Sequence, residues 1–212
     1  MPIKLNKKEE KNKILKTAMN CFTNNGYSNT TMDDIAKKYG KSKASIYLHF
    51  KSKKSIFLAL TDYWLKQFKQ DLLPILHSND EPELILSKII NKLSERIDSD
   101  LPFFKVHLEF LRHTYTNNNI KNRINKVYTF WTKELASILF PICNSMELAQ
   151  KLANFMIAVY DGFIARSITI NDISIEDNIK FIEKITLSIL NSIKNEYKSY
   201  LNTCKEEVRN ES

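Results

Sequence analysis

Apolar residues recur along this chain at spacings of three and four, and no stretch alternates convincingly enough to make a strand. Ile14, Leu15, Ala18, Cys21 and Phe22 form one such stripe and predict a helix over about 8–24. "NNGY" ends it, with Gly26 where a left-handed residue is commonly needed. A second helix opens at "TTMDDIAKKYG". Thr31 and Asp34 have the capping-box spacing, Ile35, Ala36 and Tyr39 supply the apolar side, and Gly40 stops it after about two turns. Ser42 caps a third helix only two residues later, whose Ile46 and Phe50 face the same core as Phe22 and Ala36. Two short helices joined by a glycine turn describe a helix-turn-helix.

Ser52 caps a fourth helix that runs through Trp64 and Phe68 to about Leu73, where Pro74 ends it. Further helices are expected at about 83–97, with Pro82 near the first position, and at about 103–115, with Phe103, His107, Phe110 and Leu111 on one face. Others follow at about 120–140, 146–169 and 175–201, before a polar tail over 202–212. The expected fold is all-α, with about nine helices, no internal repeat and no low-complexity linker.

Composition supports this: 3 Gly and 5 Pro in 212 residues favour helices over tightly turned strands, and 43% hydrophobic content can fill a core. No apolar run approaches the length of a membrane span, and the first residues lack the apolar stretch of a signal peptide. The expectation is a soluble cytoplasmic protein. Cys21, Cys143 and Cys204 are odd in number and far apart, without CxxC or Cys/His spacing, so neither a disulfide framework, a metal site nor a cofactor is expected. A redox role for one of them stays open.

Charge changes the picture more. Residues 1–56 hold 13 Lys against 4 Asp+Glu, a net of +9, while residues 57–212 hold 19 Lys+Arg against 20 Asp+Glu, a net of −1. A basic first quarter with a neutral body behind it is the footprint of a module that binds a polyanion. A solvated lysine-rich terminus would give the same count. The third helix narrows the choice. "GKSKASIYLHF", residues 40–50, carries small and polar side chains where a core helix would carry Leu, Ile or Val.

Residues 22–60 resemble the DNA-binding region of the tetracycline-repressor (TetR) family. The matching elements are Phe22, Gly26-Tyr27, Thr31, Ile35-Ala36, Gly40, Ser42, Ile46-Tyr47, His49-Phe50, Ser52-Lys53 and Phe57, all in one register. The resemblance implies a DNA-binding domain over 1–56 and a ligand-binding and dimerisation domain over 57–212. It also implies a homodimeric repressor of a palindromic operator, released by a small-molecule inducer. Lys43, Ala44 and Ser45 are then the base readers, since small side chains at a recognition helix's start let its backbone approach and Lys can donate to guanine. Thr31, Ser42, Tyr47, His49 and Lys53 match positions that grip phosphates and fix the register. Two of these have plainer readings as well: Tyr47 as a half-buried core aromatic, and His49 as a cap on the helix's C-terminal end.

In the body, the helices over 152–168 and 175–201 are apolar on more than one face, and Gly162 permits close approach, so these last two helices are expected to pair the subunits. Ligand-contact candidates are Trp64, Phe68, Phe103, His107, Phe110, Tyr128, Trp131, Phe155 and Tyr160, with His107 or Glu109 as polar groups in an aromatic-lined cavity. Each of these aromatics serves equally as core. An enzyme is not expected, because no Gly-rich phosphate loop, GxSxG, HExxH or paired His/Cys spacing is present. A constitutive DNA binder with no inducer remains open.

Overall fold

The computed structural model describes residues 6–111, 118–170 and 175–210, with the side chains of 98, 110, 175, 176, 198 and 200–210 outside that description. Among the described residues there are eight α-helices and no strand: α1 Lys7–Asn25, α2 Met32–Tyr39, α3 Lys43–Tyr47, α4 Lys53–Leu76, α5 Pro82–Leu111, α6 Asn118–Cys143, α7 Met146–Thr169 and α8 Ile175–Asn210. The helices expected at 83–97 and 103–115 are two parts of one continuous α5 with Pro102 inside it, and the residues past 111 lie outside the description. Pro74 and Pro141 also sit inside helices, two residues before the ends of α4 and α6. A proline in a last turn removes a single backbone hydrogen bond, so neither stops the helix where the sequence suggested. In the same way α8 continues through the polar residues to Asn210.

The chain packs into two compact units. One is Met1–Asp71 with Ile97–Lys121, the other Leu72–Arg96 with Asn122–Ser212. In the first, α1 starts at a full capping box: the Asn6 side chain accepts the Lys8 and Glu9 N–H groups, and the Asn6 N–H donates to the Glu9 carboxylate. α2 repeats the device with Thr31 and Asp34, the Thr31 N–H and hydroxyl both donating to the Asp34 carboxylate at 2.7 Å. Those bonds hold the Asp34 carboxyl below the ordinary carboxylate range. Ile14, Ala18, Phe22, Ile35, Ala36, Ile46, Phe50 and Phe57 are buried together and make the small core on which α2 and α3 rest. α3 is shorter than the sequence pattern suggested: past Tyr47 the chain bends, with the His49 and Phe50 N–H groups both donating to the Ile46 carbonyl at 3.0 Å.

The second unit is built around Leu86, Ala136, Leu139, Ile142, Cys143, Ala149, Ala153 and Leu190, contributed by α5, α6, α7 and α8. Cys21 and Cys143 are free thiols buried in the two cores, and burial raises both above the usual thiol range. The side chain of Cys204 lies outside the described residues.

Candidate nucleic-acid interface and ligand site

α3 exists in its observed position because its start is fixed locally by two devices. Gly40 takes the left-handed conformation at φ +73°, and Ser42 then caps the helix by accepting the Ser45 N–H at 3.2 Å. Ile46 is buried, which leaves the opposite side of α3 outward: Ser42, Lys43 and Ala44 are exposed, Tyr47 is 46% exposed and Leu48 79%. Leu48 is the residue that sequence reasoning missed here. The inward Ile46 and Phe50 on either side of it are the signal that turns it outward.

Besides the capping bonds of Thr31, Ser42 and Ser45, three of the expected DNA contacts have partners in other elements of the protein. Lys43 Nζ donates to Asp33 at 2.7 Å, which raises the lysine above its ordinary range. Both side chains are largely in solvent, and an exposed pair of this kind is worth about 0–1 kcal/mol, so exchanging Asp33 for another acceptor costs little. His49 is turned inward, its ring nitrogen 3.3 Å from Glu10 of α1. Its side chain is 7% exposed, and it ties the end of α3 to α1.

Lys53 holds the α1–α2 turn. Its Nζ donates to the Tyr27 carbonyl at 2.6 Å and the Ser28 carbonyl at 3.0 Å, and lies 4.6 Å from the centre of the Tyr27 ring. Burial lowers its affinity for a proton, opposed by the charges of Glu109 and Asp34. The N–H groups of the same turn go to Glu109 of α5, Tyr27 donating at 2.6 Å and Ser28 at 2.9 Å. The sequence suggested Glu109 as a polar group lining a cavity, whereas the structure employs it as an anionic cap on this turn. Gly26 is set by its backbone rather than by space: a φ of +80° strains any L side chain, whereas a Cβ there would lie 3.5 Å from the Glu109 carboxylate, an ordinary contact. Inside the turn, Thr30 donates its hydroxyl to the Gly26 carbonyl at 2.8 Å.

Four of the aromatic candidates come together in this same unit as a column of rings. Phe68 stacks on Trp64 with centroids 4.6 Å apart, Trp64 on Phe103 at 4.4 Å and 5° between planes, and Phe103 on His107 at 5.6 Å. Phe104 meets Trp64 edge-on at 5.6 Å. α4 supplies Trp64 and Phe68 one turn apart, and α5 supplies Phe103 and His107 at the same spacing, so the two helices present matching rows. Trp64 Nε1 and His107 Nδ1 are buried without a hydrogen-bond partner among the described residues. The His107 residue as a whole is partly covered, but this nitrogen is enclosed, and burial pushes the imidazole down to about 4.

The remaining candidates fall in the second unit. The Tyr128 hydroxyl donates to Asp161 at 2.7 Å, with the Asp161 carboxyl raised by burial and Tyr128 raised likewise. Asp161 was not foreseen, because a lone acid on an apolar helix carries no spacing that marks it. Trp131 is buried, Tyr160 partly so, and Phe155 is 53% exposed. The Phe110 side chain lies outside the described residues. Phe155 shares an outward stripe of α7 with Ala158 and Gly162, and nothing lies within 4 Å of where a Cβ on Gly162 would be. On α8, Phe181 is 61% exposed, Ile185 41% and Tyr197 38%, with Ile189 partly covered.

A capped helix pair with an outward second helix of small and polar residues, in the basic first quarter of the chain, is the arrangement of a helix-turn-helix. Residues 14–60 match the family model of the bacterial regulatory proteins of the tetR family. That match covers the first quarter of the chain, from α1 into α4. It is 31% identical over 121 residues to the HTH-type transcriptional regulator QacR of Staphylococcus aureus, a match covering 55% of this chain and 62% of that one. Over 47 residues it is 53% identical to IcaR, the HTH-type negative transcriptional regulator of the biofilm operon icaADBC of the same species, covering 22% and 25%. The chain thus spans only part of the length of the curated relatives it matches. Among solved structures it is similar in fold to the transcriptional regulator FadR from Bacillus subtilis in complex with stearoyl-CoA, with a TM-score of 0.66 over 85% of this chain and 96% of that chain at 20% identity.

Proposed function

We propose that this chain is a ligand-responsive transcriptional repressor that binds a palindromic operator as a homodimer and is released by a small-molecule inducer. The observation that carries the reading is α3: a five-residue helix held by two caps and a buried Ile46, presenting Ser42, Lys43, Ala44, Tyr47 and Leu48 to solvent on the basic part of the chain. Residues 1–56 supply DNA binding and 57–212 ligand binding and dimerisation. Lys43, Ala44 and Ser45 read bases, with Thr31, Ser42 and Tyr47 on phosphates. His49 and Lys53 act first as braces, for α3 and for the α1–α2 turn, and Lys53 keeps a third N–H donor for a phosphate. The named functions of the relatives, QacR and IcaR as transcriptional regulators, support this over an enzyme. No helix among the described residues is long and apolar enough to cross a membrane, which suits a cytoplasmic DNA binder.

The outward stripes of α7 and α8 are the proposed dimer surface. Two recognition helices on one face of a duplex must lie about 34–36 Å apart, or a multiple of that. The switch rests on the turn at 26–28. α4 reaches it through Lys53 and α5 through Glu109, and the same two helices carry the Trp64 and Phe103 column. A ligand that separates those rings shifts both grips at once, and α2 and α3 with them. The test is fluorescence anisotropy on the chain's own promoter DNA with a compound screen. A protein that binds no duplex site in preference to random sequence at moderate salt would overturn the reading. Linkage further requires that operator DNA weaken inducer binding by the same factor that inducer weakens DNA binding, typically ~5–150-fold.

A further inference from the structure

We propose that Leu48, together with Ala44, reads the C5-methyl group of a thymine in the major groove, so that each half of the operator carries a thymine under the end of α3. This rests on the reading of the chain as an operator-binding repressor and names base chemistry that the reading leaves open.

The backbone settles where Leu48 stands. It closes α3 with helical angles, φ −63° and ψ −25°, and its N–H donates to the Ala44 carbonyl at 3.1 Å. Leu48 therefore lies one turn beyond Ala44 on the same row of the helix. Ala44 and Leu48 come two residues before and two residues after Ile46, which is fully buried. At about 100° per residue, both are turned almost directly away from the core. Leu48 is 79% exposed, more than any other large hydrophobic side chain among the described residues. The outermost row of α3 is thus apolar, with the polar Lys43, Ser45 and Tyr47 to its sides.

The surroundings of this row say what covers it. Lys41 and Lys51, three residues beyond either end of the row, are exposed, and so is Lys43 beside it. Residues 1–56 hold 13 Lys against 4 Asp+Glu, a net of +9. An apolar partner surface would strip water from these cations and pair none of them. A DNA groove meets both demands, with phosphates along its rim and base edges on its floor. On that floor the apolar group is the thymine methyl, whereas guanine, adenine and cytosine present hydrogen-bonding atoms. A leucine laid over those atoms takes their water and offers no partner in return. Leu48, which neither donates nor accepts, thus selects thymine by attraction to its methyl and by exclusion of the other three bases. The polar part of the readout stays with Lys43 and Ser45.

Selection of the full chain on random duplexes gives its preferred site. Each thymine of one half-site is then replaced singly by deoxyuridine, which removes the methyl group and keeps every hydrogen-bonding atom. Affinities are read by fluorescence anisotropy. At one position the replacement should weaken wild type about 4-fold, the worth of one methyl group withdrawn from water. Cytosine there should also weaken binding, and 5-methylcytosine should recover about 4-fold of the loss. Leu48 is largely in solvent, so Leu48→Ala leaves the fold intact. That variant should bind the thymine and deoxyuridine duplexes equally at this position. A preferred site without thymine, deoxyuridine tolerated at every thymine, or a Leu48→Ala protein that still separates the two duplexes would each overturn the proposal. So would a Leu48→Ala protein that sediments as a smaller species than wild type, which would give the row to a second copy of the chain. The two readings fail separately. Selection that yields no preferred site removes the operator-binding reading itself, whereas a preferred site with no dependence on the methyl group removes only the role of Leu48.

Discussion

His107 should make the protein acid-sensitive in a defined window. Its imidazole titrates near 6.5 in an unfolded chain and is pushed down to about 4 in the folded one by burial. Between those values the unfolded chain binds the extra proton and the folded chain does not, so stability falls as pH falls. The full difference is about 3 kcal/mol, of which about 2 kcal/mol should already be lost at pH 5. His107→Phe keeps a ring against Phe103 and removes the titration. Urea unfolding at fixed protein concentration, followed by circular dichroism between pH 7 and pH 4.5, gives the comparison. Wild type should lose about 2 kcal/mol relative to the variant between pH 7 and pH 5. A difference between the two that stays constant across that range would refute the burial of a neutral imidazole at the end of the column.

Lys43→Ala should change which operator bases are preferred while leaving stability nearly unchanged, because its ion pair with Asp33 is an exposed one. Lys53→Ala should weaken binding equally for all sequences and also lower stability by about 1 kcal/mol, since the Tyr27 and Ser28 carbonyls lose their donor. Anisotropy on a panel of single-base operator variants, with thermal melts alongside, separates the two, and reversed outcomes would exchange their roles. Ile189→Asp should split the proposed dimer and abolish operator binding with α3 untouched, because a charge on an apolar face that a second copy covers is costly; a variant that sediments as a dimer would remove α8 from the proposed interface. Asp161→Asn should raise the melting midpoint at pH 7 and lose that advantage toward pH 4. The raised carboxyl of Asp161 favours the folded state only where it is protonated, and Asn still accepts the Tyr128 hydroxyl. A lower midpoint at pH 7 would show that the Asp161 charge is compensated.

What the chain declares about itself is mostly local. Thr31 with Asp34, Ser42 and the glycines at 26 and 40 fix helix ends within four residues of themselves, and the apolar stripe from Ile14 to Phe22 needs only helical periodicity. Those features appear in the structure as the sequence predicts. The misreadings share a cause. Pro74 reads as a stop, and Pro102 and Pro141 fall in the breaks expected between helices, yet α4, α5 and α6 each run through their proline. His49 and Lys53 have a bracing role that the motif does not announce, because their partners Glu10, Tyr27 and Ser28 are known only once α1, α3 and α4 have packed. Glu109 lies 82 residues from Tyr27, and no pattern along the chain links a carboxylate to N–H groups so far away. The gathering of Trp64, Phe68, Phe103 and His107 was half legible: the spacing of four within each helix is visible, the meeting of the two rows is not.

The hold of Glu109 on the turn at Tyr27 and Ser28 also bears on how this protein can be recombined. A fragment ending near residue 56 contains α1, α2, α3 and Lys53, so it keeps the cation on the turn's carbonyls and discards the anion on its N–H groups. Such a head is an incomplete part, with two amides left to water at the junction that orients the recognition helix. Chimeras that graft it onto another protein's body inherit whatever that body offers at the position of Glu109. A body with an acid there can restore the bonds to the Tyr27 and Ser28 N–H groups, and one with a neutral or basic residue there leaves the turn beside α2 and α3 unsupported.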